Sequence, residues 1–102
     1  MRRILAGMMI LLIAAAIHSR ANQPAERPVI EKGRSLFLKN CAHCHGNDAS
    51  GDEGPDLHNL KQSDAWLEKR IRNGLKGEMP AFREKFSADD IASLVRFLRN
   101  LK

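Results

Sequence analysis

The sequence predicts an all-α fold, with three main helices separated by long loops. Two observations carry this. Apolar residues recur at three- and four-residue spacing in three separate stretches, and no stretch sustains the two-residue alternation of a half-buried strand. The intervening stretches are rich in Gly, Asp, Asn and Pro, the residues of turns and irregular loops.

Residues 1–21 read as a cleaved secretory signal peptide. Arg2 and Arg3 form a positive head, 4–17 is an apolar run interrupted only by Gly7, and Ser19-Arg20-Ala21 places small residues where a signal peptidase reads. The 14 residues of that run reach roughly 21 Å as a helix, short of the ~30 Å hydrocarbon core. No membrane span is therefore expected after cleavage, and the export signal implies a periplasmic protein. Residues 22–27 are polar and read as a flexible lead-in, which leaves 28–102 as the folded domain.

Charge excludes one class of partner. The chain has 17 basic and 12 acidic residues, a net +5, but Arg2, Arg3 and Arg20 lie in the leader. The remaining excess is slight and unclustered, unlike the basic face of a nucleic-acid-binding protein.

The first helix is expected over 28–40. Pro28 suits a first helical turn, and Ile30, Gly33, Phe37 and Cys41 share one face. Gly33 costs about 1 kcal/mol relative to Ala in a helix, which is bearable where another backbone approaches closely. Residues 46–60 read as a loop, long enough to imply a ligand or a task. Ser63 is the expected N-cap of the second helix, with Trp66, Leu67 and Ile71 as its buried stripe and Gly74 as its stop. Residues 75–85 are irregular and hold Met79 and Pro80. The last helix starts at the cap Ser87, with Asp90 completing a capping-box variant and Phe86 set to staple onto Ile91. Its apolar stripe is Ile91, Leu94, Val95, Leu98 and Leu101, with Arg96 and Arg99 expected toward solvent or the helix C-terminus.

Chemistry concentrates in Cys41-Ala42-His43-Cys44-His45, the attachment motif of a c-type haem. Two thiols three positions apart on a helical turn can reach two vinyl groups on one porphyrin edge, and the adjacent His45 then falls under the iron. The chain has only these two cysteines, too few for a disulfide scaffold. A thioredoxin-like pair needs a strand before the motif, and the sequence offers a helix. A zinc site built from Cys41, Cys44, His45 and His58 would crowd three ligands into five residues. With a leader of about 21 residues removed, about 81 remain, a size at which a large buried cofactor relieves a small core.

The second axial position falls to Met79 or His58. Met79 is the one methionine outside the leader, and His43 sits between the attachment cysteines. Met79 is favoured, because core filler is an ill fit for a methionine flanked by Glu78 and Pro80 in a polar loop.

These motifs resemble the class I c-type cytochromes, the small bacterial monohaem kind. The resemblance runs through Gly33-x-x-x-Phe37-x-x-x-Cys41-x-x-Cys44-His45, Gly54-Pro55-Asp56-Leu57, Met79-Pro80, and Leu94 with Phe97. It implies a cytochrome c fold wrapped around one covalent haem c, with the first and last helices crossing at Gly33 and Phe37. It implies that the Pro55 carbonyl accepts a hydrogen bond from His45, and that Met79 is the distal ligand. The chain departs from the family in having Phe97 where a Tyr is frequent. Trp66 is then a candidate partner for a haem propionate, with a core role as its alternative. Arg72 and Lys76 are candidates to neutralise the propionates.

The expected function is single-electron transfer by a monomer, with no catalytic residue. Apolar walls are expected from Phe37, Leu57, Trp66, Phe82 and Leu98. Redox donors and acceptors would dock briefly, through less than about 1,200 Å². Lys39, Lys61, Arg72 and Lys76 are expected around the haem edge, steering an acidic partner. Two alternatives stand beside this: a dedicated subunit of a periplasmic oxidoreductase complex, and a ligand sensor or peroxidatic enzyme in which Met79 gives way.

Overall fold

The computed structural model describes residues 24–102, so the expected leader lies outside the described residues. Four helices follow in order: α1 (Arg27–Asn40), the single turn α2 (Ala42–His45), α3 (Asp64–Asn73) and α4 (Ala88–Arg99). The three main helices are those the sequence predicts. The added turn α2 carries the cysteine–histidine motif. Among the described residues the extended pairing amounts to one isolated bridge, Leu75 with Met79. The chain is all-α.

Local chemistry sets the helix limits. Pro28 stands in the first turn of α1, which begins at Arg27. Ser63 caps α3 by accepting from the Trp66 amide, and Gly74 ends it with φ +66°. At α4 the Ser87 hydroxyl accepts from the Asp90 amide, while the Asp90 carboxylate accepts from the Ser87 amide. Both exchanges satisfy backbone N–H groups that a helix start leaves unpaired.

The core forms where α1 and α4 cross. A Cβ on Gly33 would lie 2.0 Å from the Ser93 carbonyl oxygen, so only glycine admits this approach. One turn on, the Phe37 and Phe97 rings meet at 5.2 Å with a 42° tilt. Phe37, Leu94 and Val95 are buried almost completely. Phe86 and Ile91 both join the core, and Phe86 stacks on Phe82 at 5.0 Å.

Polar ties add to the expectation for α4. Arg96 pairs with Glu26 at 2.5 Å, fastening the residue just ahead of α1 to the last helix. Arg99 donates to Asp64 at 2.8 Å, to the Leu60 carbonyl at 2.8 Å, and to the Gln62 carbonyl. Both arginines lie in the last turn of α4, at the helix C-terminus as expected, and in addition tie it to a carboxylate ahead of α1 and to the segment leading into α3. Trp66 departs from the expectation. Leu67 and Ile71 are buried as expected, but Trp66 is 43% exposed and belongs to a cavity wall.

Candidate functional site

Helices α1, α3 and α4 and the two long loops enclose a cavity of about 610 Å³. That volume is within the range of cofactor sites, about 300–1,000 Å³. Cys41, Cys44, His45, Pro55 and Met79, the five predicted site residues, all line it. So do the five expected apolar wall residues, Phe37, Leu57, Trp66, Phe82 and Leu98.

Backbone bonds place the motif side of the wall. The Cys44 and His45 amides both donate to the Cys41 carbonyl, at 3.2 and 3.0 Å, closing the turn. The following loop folds back onto it: Gly51 N–H donates to the His45 carbonyl at 2.8 Å, and Gly54 N–H to the Cys44 carbonyl at 2.7 Å. This return brings Pro55 beneath the His45 ring, whose Nδ1–H donates to the Pro55 carbonyl at 2.8 Å. The bond leaves Nε2 as the nitrogen free to bind a metal. Gly54 makes room for the ring, because a Cβ there would stand 2.8 Å from His45 Cε1. Ala49, wholly buried with φ +62°, anchors the loop, and its carbonyl accepts from Leu57 N–H at 2.8 Å.

Met79 comes from the other loop. Leu75 and Met79 exchange two backbone bonds of 2.8 Å, with Gly77 turning the segment at φ +79°. The loop is tied to α3 by Phe82 N–H donating to the Ile71 carbonyl at 3.1 Å. A Cβ on Gly74 would stand 2.4 Å from the Met79 carbonyl oxygen, so the close return also depends on glycine. His58, the other candidate, is absent from the cavity wall; its ring donates to Asp56 at 2.6 Å.

Cys41 and Cys44 form no disulfide with each other. Burial, and then the neighbouring Cys44, pushes the Cys41 thiol up to about 11. Redox-active CxxC pairs depend on a lowered thiol value, so this site is built the opposite way. Among the described residues no three His, Cys, Asp or Glu side chains cluster as a metal site would require, which counts against the zinc reading. Two thiols and an oriented imidazole on one part of the wall, a thioether sulfur in the opposing loop and apolar walls between fit an iron porphyrin.

A family model described as cytochrome C oxidase, cbb3-type, subunit III, matches residues 28–98. The chain belongs to this family of c-type cytochromes. It is 30% identical over 96 residues to the Cbb3-type cytochrome c oxidase subunit FixP of Rhizobium meliloti, covering 86% of this chain but 33% of FixP. It is 33% identical to a cytochrome c-553-like protein of Synechocystis, covering 70% of this chain and 68% of that protein. Among solved structures, cytochrome cL of Methylophaga aminisulfidivorans is similar, with a TM-score of 0.64, 26% identity, and 72% of this chain and 53% of that chain covered. The fold is therefore that of cytochrome c, and the cofactor of the family is covalent haem c. The chain spans about a third of the length of the oxidase subunits it matches first.

The structure adds residues the sequence reading missed. Lys39, Lys61, Arg72 and Lys76, expected around the haem edge, are not among the residues lining the cavity; the arginine that lines it is Arg70. Its guanidinium lies 4.9 Å over the Trp66 ring and donates to the Gly74 carbonyl at 3.3 Å. Their four-residue spacing on one helix was the available signal. The role of Gly54 had no such signal, since the ring it admits comes from another turn.

Proposed function

We propose that this domain carries single electrons through one haem c, joined to Cys41 and Cys44 and ligated by His45 and Met79. The observation that carries the reading is that these four side chains line one apolar cavity. Haem c, when bound, supplies a one-electron ferrous/ferric couple. The chain's own residues do the rest. Cys41 and Cys44 fix the cofactor's edge as thioethers. His45, oriented by the Pro55 carbonyl, would bind the iron through Nε2. Met79 supplies a soft thioether sulfur, which favours the reduced state relative to a second imidazole. Phe37, Leu57, Phe82 and Leu98 exclude water and disfavour added charge in the site. The reading is of a carrier, as its cytochrome relatives support.

The leader over 1–21 makes this a periplasmic carrier, and redox proteins are its partners. A second reading, a domain working as part of an oxidase complex, is favoured by the similarity to FixP and CcoP subunits. A stable oxidase copurifying with the chain distinguishes it from a diffusing monomer. The test of the primary reading is a redox titration of the matured protein and of Met79→Ala. The variant's midpoint should fall by on the order of 100 mV, within the ~0.8 V span that axial ligation commands. An unchanged midpoint and spectrum would remove Met79 from its assigned role.

A further inference from the structure

The charge around the cavity opposes the charge of the chain. The whole sequence is net +5, but three of its arginines lie in the leader and the remaining excess of basic residues is slight. Yet the carboxylates of Glu53, Asp56 and Glu78 line the cavity, against one guanidinium, Arg70. All three acidic residues are solvent-exposed. Arg70 is turned onto Trp66 and the Gly74 carbonyl. Asp56 is engaged by His58, whereas Glu53 and Glu78 are in none of the ion pairs among the described residues. They come from different loops, before Pro55 and before Met79, so two separate segments bring negative charge to the same opening. Trp66 and Leu75, each 43% exposed, add apolar area beside them. Lys76 shares the loop of Glu78 but does not line the cavity, so three carboxylates against one guanidinium leave the lining net negative, and an apolar patch with such a lining is a surface for brief, steered docking.

We propose that this opening docks a redox protein presenting a cationic, Lys- or Arg-bearing patch. This deepens the electron-carrier reading by naming the partner's chemistry, and it reverses the acidic partner expected from the lysines. Local carboxylates decide the encounter because charges farther off than a Debye length, about 10 Å at 0.1 M salt, are largely screened.

The test uses the reduced holoprotein and two small oxidants of opposite charge, the tripositive tris(phenanthroline)cobalt(III) and the trinegative hexacyanoferrate(III). One electron leaves the protein in each case, giving cobalt(II) or hexacyanoferrate(II). Rates are followed by stopped flow from about 10 mM to about 1 M salt, over which the Debye length shrinks from about 30 to about 3 Å. The proposal expects the cobalt rate to fall about tenfold with salt and the hexacyanoferrate rate to rise. In the double variant Glu53→Gln, Glu78→Gln both slopes should flatten, which separates these carboxylates from the propionates of the cofactor. Titrating oxidised holoprotein with an oligolysine peptide should move the backbone amide resonances of residues 53 and 78 first. Slopes of the opposite sign would overturn the proposal in favour of an acidic partner. Wild-type slopes in the double variant, or peptide shifts confined elsewhere, would also overturn it. A purified chain with no redox-active spectrum would instead defeat the electron-carrier reading beneath it.

Discussion

At position 54 the absence of a side chain is what lets His45 take its place. The ring occupies the volume a Cβ would need, 2.8 Å from Cε1 and 2.9 Å from Nδ1. Gly54→Ala must therefore push the imidazole away from the Pro55 carbonyl, and in the proposed ligation the ring would have little freedom to yield. The expected outcome is a yield of haem-loaded protein several-fold lower, in line with the 10–100-fold losses typical when metal-ligand support is removed. Absorbance of the purified variant per unit protein measures it; a wild-type yield and spectrum would show that the ring can shift freely. Pro55→Ala is a weaker test, since any residue there keeps the accepting carbonyl. The motif itself was legible in the sequence because its chemistry is contiguous. Gly54 was not, because the ring it admits comes from another turn, which only folding brings near.

The helices read well from the sequence where local chemistry determines them. Ser63, Gly74, Ser87 and Asp90 act at their own helix ends, and the stripe of α4 is set by spacing alone. What the sequence did not show was long-range. It places Arg96 and Arg99 toward solvent or the helix C-terminus, and the second holds, but their carboxylate partners Glu26 and Asp64 lie 70 and 35 positions away. Gly33 tests the packing of α1 on α4. Alanine improves helix propensity by about 1 kcal/mol, but its methyl meets the Ser93 backbone, which cannot swing aside. Overpacking wins, and Gly33→Ala should lose about 1–3 kcal/mol in denaturant unfolding of the holoprotein. A stabilised variant would contradict the crossing.

Asp90 ties the same two helices electrostatically. Hydrogen bonding from Lys32, at 2.9 Å, and then from the Ser87 amide holds its carboxyl below the ordinary 3.8. A lowered folded value means that the folded state favours the ionised form. That contribution is complete at neutral pH and disappears as pH falls below 3.8 through the folded value. Asp90→Asn should thus narrow the stability gap between neutral and acidic solution, read as a shallower loss of helical circular dichroism on acid titration. An acid limb identical to wild type would show that the contact contributes nothing.

On the scale of the whole molecule, the cavity occupies the place where a larger protein would have more core. Phe37, Leu94 and Leu98 serve both the helix crossing and the cavity wall, so the apolar cluster and the cofactor site are one structure. A small domain of this kind gains stability from whatever fills that space in the folded state alone. The covalent haem is thereby both the redox centre and part of the core. The chain matured in the periplasm should have the mass of the polypeptide plus one haem, and its pigment should stay with the protein through acid-acetone extraction. A colourless product with the bare polypeptide mass, or a pigment that extracts, would contradict the attachment through Cys41 and Cys44.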